Sequence, residues 1–170
     1  MVLGVYENFP QNVHKLERFV TSASNRRLQQ AIIQALYEVN GKAFNMEEVA
    51  VPSIPQCTVI FEFGIAEANA FNYLDKEETD KVLKAINNRL LETMDFFCAV
   101  RYYKRQNYRK TPLRFDYYMI RFTFNENMME IHVFHEKGPR HITPEDIANL
   151  IIDKINKTSK KKMLKSFKLV

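Results

Sequence analysis

A short basic and aromatic segment, residues 101–121, is the part of the chain best equipped to do chemistry. It holds seven lysines and arginines and one acid, Asp116. Its cations alternate with tyrosines, and cations contact phosphates while tyrosine rings offer flat faces on which bases stack. The pattern predicts contact with RNA or single-stranded nucleic acid through these residues: Arg101, Tyr102, Tyr103, Lys104, Arg105, Tyr108, Arg109, Lys110 and Arg114.

A second basic block, residues 154–168, has seven lysines and no acid. Removing both blocks from the 25 cations and 20 acids of the chain leaves 11 cations and 19 acids, so the remaining body is acidic. Charge segregated in this way indicates a polyanionic partner. Within this block, Lys160, Lys161 and Lys162 are predicted to add affinity for nucleic acid without sequence preference.

Both blocks also have other interpretations. The tyrosines of 101–121 can anchor a loop to the core while the cations are solvated, and the lysine-rich end can be a solvated, partly flexible terminus. Alternatively, the chain is an adaptor or a subunit of a complex whose basic blocks dock an acidic protein surface, including the acidic body of another copy in a homo-oligomer.

Catalytic and metal sites are weakly indicated. His132 and His135 are three residues apart, so they face opposite sides of a strand, and no histidine or cysteine spacing matches a zinc pattern. A remote alternative is a metal-dependent, nuclease-like hydrolase that uses Asp116 and Glu130. With four glycines, the chain has no glycine-rich phosphate loop. We therefore expect a non-catalytic binding protein without a metal or cofactor.

Length and composition predict an ordinary globular protein. The 170 residues are 46% hydrophobic and 26% charged, and no apolar run approaches the roughly 20 residues of a membrane span. The first residues lack the basic and apolar regions of a secretion signal. Cys57 and Cys98 both have apolar neighbours, as expected of buried thiols. The prediction is a cytoplasmic protein without a membrane span.

Three helices are predicted from apolar periodicity and capping residues. The first covers residues 25–40 after Ser24, and the second runs from about 76 to 97 after Asp75. Thr143-Pro144 begins the third. A shorter amphipathic piece precedes the first helix, with Val13, Leu16 and Phe19 or Val20 on one side. Residues 101–112 are predicted to be the frayed end of the second helix followed by a loop.

The remaining apolar segments alternate as strands do. Strands are predicted from Cys57 to about Gly64, over 113–124 and over 128–136, the last two joined as a hairpin. The order of elements predicts an α+β fold with an antiparallel sheet of three to five strands and helices packed mainly on one face. Residues 1–157 are predicted to form a single domain, followed by a basic, partly flexible tail over 158–170.

Overall fold

The computed structural model describes residues 2–106 and 109–167, without the side chains of 106–111. Within these ranges the chain forms three helices, nine strands and one 3₁₀ turn (Met46–Glu48). In chain order the helices and strands are β1 (Lys15–Thr21), α1 (Asn25–Val39), β2 (Ala43–Asn45), β3 (Cys57–Glu67), β4 (Ala70–Tyr73), α2 (Lys76–Asn88), β5 (Thr93–Gln106), β6 (Arg109–Pro112), β7 (Asp116–Asn125), β8 (Met128–Lys137), α3 (Pro144–Lys157) and β9 (Leu164–Ser166).

The nine strands of the described residues form one antiparallel sheet. Its main path runs β2-β3-β5-β7-β8-β1-β9, while β4 pairs with β3 and β6 pairs with β5. The predicted α+β class and antiparallel sheet are confirmed, but the expected three to five strands are too few. The short strands β2, β4, β6 and β9 carry too few residues to show an alternating pattern, whereas β1 and β5 lie in segments that were predicted as an amphipathic piece and as a helix end.

The core lies between the sheet and the helices. Every second residue of the central strands is buried on one face, and these residues form one cluster with the apolar stripes of the three helices. Phe61, Phe96 and Phe122 belong to this cluster from the sheet, and Ile32 and Ile151 belong to it from the helices. The helices therefore cover one face. None of the helices in the described ranges is long and apolar enough to cross a membrane.

The predicted helix starts are confirmed by capping contacts. The Ser24 hydroxyl accepts a hydrogen bond from the Arg27 amide, and the Asp75 carboxylate accepts one from the Glu78 amide. Thr143 forms a reciprocal capping box with Asp146. Each of these contacts satisfies a backbone N–H that the first turn of a helix leaves without a partner.

The second helix is shorter than predicted, so the basic segment belongs to strands and not to a helix end. Helix α2 ends at Asn88, and residues 93–106 form the long strand β5. Met94, Phe96, Cys98, Val100 and Tyr102 are all buried, which is a period of two rather than 3.6. The predicted frayed helix end over 101–112 was therefore wrong, because Arg101–Gln106 continue β5 and Arg109–Pro112 form β6.

Strand β1 pairs with a different strand on each of its sides. The amphipathic piece before α1 is strand β1, which pairs with β8 over Lys15–Val20. Strand β9 pairs with the other side of β1, and Leu164 is buried. The Asn156 side chain of α3 accepts from the Leu164 amide (2.9 Å) and donates to the Leu164 carbonyl (3.2 Å). Part of the predicted tail thus belongs to the sheet.

Candidate nucleic-acid interface

The face of the sheet opposite the helices, called the open face below, carries a row of aromatic rings. The side chains of this face are those between the buried positions of each strand. On it, Phe71 of β4 lies 5.6 Å from Phe97 of β5, and Phe97 lies 5.5 Å from Tyr117 of β7, measured between ring centroids. Phe115 follows at 6.2 Å from Tyr117. These four residues are called the ring row.

The ring row is accessible to a ligand from outside. Phe115 is 39% exposed, and the other three members are half-buried. Adjacent strands hold them side by side, because Phe97 is in register with Met119 and Ala99 is in register with Tyr117. The pleated sheet thus holds the base of each ring, and the outer part of each ring remains exposed to solvent.

Cations lie beside the Phe115 end of the row. Arg101 and Arg105 share a face of β5 with Tyr103, and Lys137 is in register with Tyr117 on β8. Arg105 and Lys137 are exposed, and Tyr103 is half-buried. Three cations and Tyr103 therefore lie on the open face at this end of the row.

Arg101 contacts Glu62 across the β3–β5 pair. The side chains are 38% and 26% exposed. The contacting oxygen of Glu62 is buried, so Arg101 neutralises a carboxylate that faces the open side of the sheet.

Tyr102 is not available for stacking on a base, and the sequence-based prediction for it is corrected here. Its ring is fully buried on the helix side, and its hydroxyl donates to Asp116. Burial is the main reason that the pKa of Tyr102 is raised far above its usual range. The signal that identifies Tyr102 as a core residue is its phase with Phe96, Cys98 and Val100 in the strand.

The other predicted residues of the first block are distributed around this end of the sheet. Lys104 is in register with Cys57, which points to the helix side, and Arg114 is exposed between β6 and β7. The predicted contacts of Tyr108, Arg109 and Lys110 concern side chains outside the described residues.

The described residues of the two basic blocks are not brought together. Lys160, Lys161 and Lys162 are exposed between α3 and β9, and Lys162 lines a groove with Glu17 and Asn149 on the helix side. Three strands separate β9 from β5, which corresponds to about 19 Å at the usual spacing of strands. The lysines therefore do not extend the basic surface beside the ring row.

The N-terminal segment is fixed to the open face by a buried ion pair. Arg121 donates from Nε and Nη2 to the two carboxylate oxygens of the fully buried Asp95, at 2.7 and 2.8 Å. The Tyr6 amide donates to Asp95 Oδ2 (2.7 Å), and Arg121 Nη2 donates to the Tyr6 carbonyl (3.2 Å). The Arg121 guanidinium also lies 4.5 Å from the centre of the Phe9 ring.

Asp116 is a structural hub that joins several parts of the chain. Its carboxylate is fully buried and accepts hydrogen bonds from the Tyr102 hydroxyl and from the amides of Arg140 (2.6 Å) and His141 (2.9 Å). His135 Nε2 lies 2.8 Å from the same carboxylate. These contacts attach the turn after β8 to the beginning of β7.

The geometry contradicts the nuclease-like pairing of Asp116 with Glu130. Glu130 is in register with Thr123, seven residues along β7 from Asp116, which is about 24 Å of strand. The two acids also lie on opposite faces, and Glu130 contacts Arg18. Among the described residues, no three His, Cys, Asp or Glu side chains are grouped so that they could hold a metal ion.

Comparison with known proteins does not assign this geometry to a family. The chain matches no family model, no curated protein and no solved structure. Function is therefore inferred from the contacts, exposure and charges of the described residues.

Sequence reasoning missed most of the residues that form this surface. The ring row was not predicted as a site, and neither was Lys137. The available signal was the alternation in 113–124, which already placed Phe115 and Tyr117 on one side of a strand. Recognising β5 as a strand would have placed Phe97 and Arg101 on the same side of the neighbouring strand.

Proposed function

We propose that this chain binds RNA or single-stranded nucleic acid on the open face of its sheet. The observation that carries the proposal is the ring row, which ends beside Arg101, Arg105 and Lys137. Aromatic rings on an open antiparallel sheet accept bases by stacking, and neighbouring cations hold the phosphates. A cytoplasmic location remains part of the proposal, and the two buried free cysteines support it.

The charges of the open face favour an anionic ligand. Glu62, Asp95 and Glu130 point to this face, and each contacts an arginine: Arg101, Arg121 and Arg18, respectively. Paired carboxylates repel a phosphate backbone less than free ones do. Arg105 and Lys137 have no ion pair with a described carboxylate, so their charges remain available for phosphates.

The shape of the surface favours unpaired bases over a duplex. The rings come from three different strands and from the loop before β7, so they offer a row of contacts spread across the sheet. Only bases that are not stacked within a helix can turn their faces to such a row. Stacking on a ring contributes about 1–3 kcal/mol per base and tolerates different bases. The proposed ligand is therefore single-stranded, with little sequence preference.

The proposal is tested by replacing Phe115 with alanine and measuring binding of a short single-stranded RNA by fluorescence anisotropy. Loss of one stacked base is expected to weaken binding about five- to 150-fold. Tyr37→Ala is the matched control, because Tyr37 is also 39% exposed but lies on helix α1. Equal affinities for Phe115→Ala, Tyr37→Ala and the unmodified protein would contradict the proposal.

A second candidate is docking of a protein, either an acidic partner or another copy of this chain. Two observations favour it. Leu16 and Val20 are each 42% exposed on the open face of β1, away from Arg101, Arg105 and Lys137. In addition, a cavity of about 500 Å³ beside α3 is lined by four acids: Glu47, Glu48, Asp146 and Asp153. Their negative charge complements the basic segment 101–121 of another copy.

Light scattering after gel filtration distinguishes this candidate from the first. Self-association predicts a mass that rises with protein concentration and falls with added salt. Nucleic-acid binding by a single copy predicts a mass near 20.1 kDa without ligand.

A further inference from the structure

The N-terminal segment adds a fifth aromatic ring to the ring row. The Tyr6 ring lies 4.9 Å from Phe71, the member of the row farthest from Phe115. From Tyr6 to Phe115, successive ring centroids are therefore 4.9, 5.6, 5.5 and 6.2 Å apart. Tyr6 is half-buried, so part of its surface remains accessible.

The position of Tyr6 is set by its backbone and not by its ring. Both polar backbone atoms of Tyr6 bond to the Asp95–Arg121 pair. Two further backbone bonds hold the same segment, because the Gly4 amide donates to the Ala66 carbonyl and the Asp95 amide donates to the Gly4 carbonyl, each at 2.7 Å. The ring is thus held beside Phe71 without contributing a hydrogen bond of its own to this attachment.

We infer that Tyr6, which the N-terminal segment holds against the sheet, is part of the ligand surface and that the ligand is an extended single strand long enough to follow all five rings. This inference rests on the proposed function. If each ring receives one base, the full site holds about five nucleotides. A single flipped base or a dinucleotide would leave most of the row unused.

The two ends of the row differ in charge, which predicts the order in which they are occupied. Arg101, Arg105 and Lys137 lie at the Phe115 end, whereas the arginine nearest Tyr6 is already bound by Asp95. Short oligonucleotides are therefore expected to occupy the Phe115 end first, where phosphates meet cations. Only longer ones reach Tyr6.

The test is a length series of oligouridylates from three to ten nucleotides, measured by anisotropy with the unmodified protein, Tyr6→Ala and Tyr6→Phe. The unmodified protein is expected to bind more tightly with each added nucleotide up to about five and then to level off. Tyr6→Ala is expected to bind the trinucleotide within twofold of the unmodified protein. It should bind the hexanucleotide at least fivefold more weakly. Tyr6→Phe keeps the ring and is expected to behave like the unmodified protein.

Each outcome decides between the two proposals. If Tyr6→Ala binds every length as the unmodified protein does while Phe115→Ala is weakened, the inference is wrong and the proposed function stands. Equal losses at every length in Tyr6→Ala would also overturn the inference, because they would indicate a general structural effect. If the unmodified protein binds no oligonucleotide at low salt, both proposals fail.

Discussion

At the scale of single residues, aspartates on opposite faces of the sheet have similar structural roles. Asp95 attaches the N-terminal segment to the open face, and Asp116 attaches the turn after β8 on the helix side. Both carboxylates are fully buried, and each accepts several hydrogen bonds. A buried carboxylate is stable only with such partners, so removing its charge leaves the donors around it unsatisfied.

Replacing Asp116 with asparagine is expected to lower the free energy of unfolding by about 3 kcal/mol or more. The amide group keeps one acceptor oxygen but turns N–H groups towards existing donors, the Tyr102 hydroxyl and the backbone amides of Arg140 and His141. Urea unfolding measures the change. Asp153→Asn is the control, because Asp153 is exposed and its ion pair is with Lys157 on the same helix. If Asp116→Asn lowers the free energy of unfolding by less than 1 kcal/mol, Asp116 does not have this structural role.

His132 predicts a dependence of stability on pH. Burial is the main reason that the pKa of His132 is lowered from its ordinary value of 6.5, and the nearby Arg121 lowers it further, although Glu130 acts in the opposite direction. The unfolded chain then binds the proton more readily than the folded protein does. The contribution of His132 to the free energy of unfolding is therefore fully present above about pH 6.5. It decreases as the pH falls from there towards the pKa of His132 in the folded protein.

Unfolding by urea at pH values between 7.5 and 5 checks this prediction. His132→Gln is expected to flatten the decrease, since it removes one of the groups that titrate. His14, whose pKa is lowered chiefly by burial, acts in the same direction and accounts for part of what remains. Lys81 lowers the pKa of Glu67, and Arg18 lowers the pKa of Glu130. The stability that these two carboxylates contribute is therefore lost only at lower pH. An unchanged pH profile in His132→Gln would show that His132 does not carry the effect.

At the scale of elements, the basic surface is formed by strands where a helix end and a loop were expected. Strand β5 turns Arg101, Tyr103 and Arg105 to the open face and Tyr102 to the core. The sheet continues to the C-terminal lysine-rich region through β9, which the Asn156 side chain joins to α3 by two hydrogen bonds. The lysines before β9 are therefore attached to the domain at both ends, by α3 and by β9.

Replacing Leu164 with alanine tests whether β9 is part of the cooperative fold. Leu164 is buried in the core cluster, and truncating such a leucine is expected to lower the free energy of unfolding by about 2–5 kcal/mol. Leu90→Ala is the control, because Leu90 is 38% exposed, and its change is expected to stay below 1 kcal/mol. If both variants unfold at the same urea concentration, β9 does not contribute to the stability of the domain.

Helix starts and the central hairpin were predictable from the sequence, whereas the site was not. Ser24, Asp75 and Thr143 cap helices because capping depends on a few neighbouring residues. The sequence did not predict strand β5, because a helical spacing also fits its first apolar residues and those before it: Leu90, Leu91, Met94 and Phe97. The ring row depends on which strands are neighbours, and this pairing is set by contacts between residues far apart in sequence. Phe71 of β4 and Phe97 of β5, for example, lie on opposite sides of helix α2 in the sequence.

At the scale of the whole molecule, the layered architecture separates the buried core from the proposed ligand surface. Helices cover one face and supply the core, and the other face presents the rings and the cations beside them. The two basic blocks lie in different places, so the lysines before β9 are expected to add at most a weak, separate contact. We propose that the open face alone binds single strands.

The most direct test is anisotropy binding of a single-stranded RNA and a duplex of the same sequence over a salt series. We expect tighter binding of the single strand and an affinity that falls steeply as salt rises, with a smaller slope in Arg105→Gln because one phosphate contact contributes about 0.7 to the slope. Lys160→Gln is expected to change the slope less than Arg105→Gln does. Equal binding of both forms, or no binding at low salt, would contradict the account.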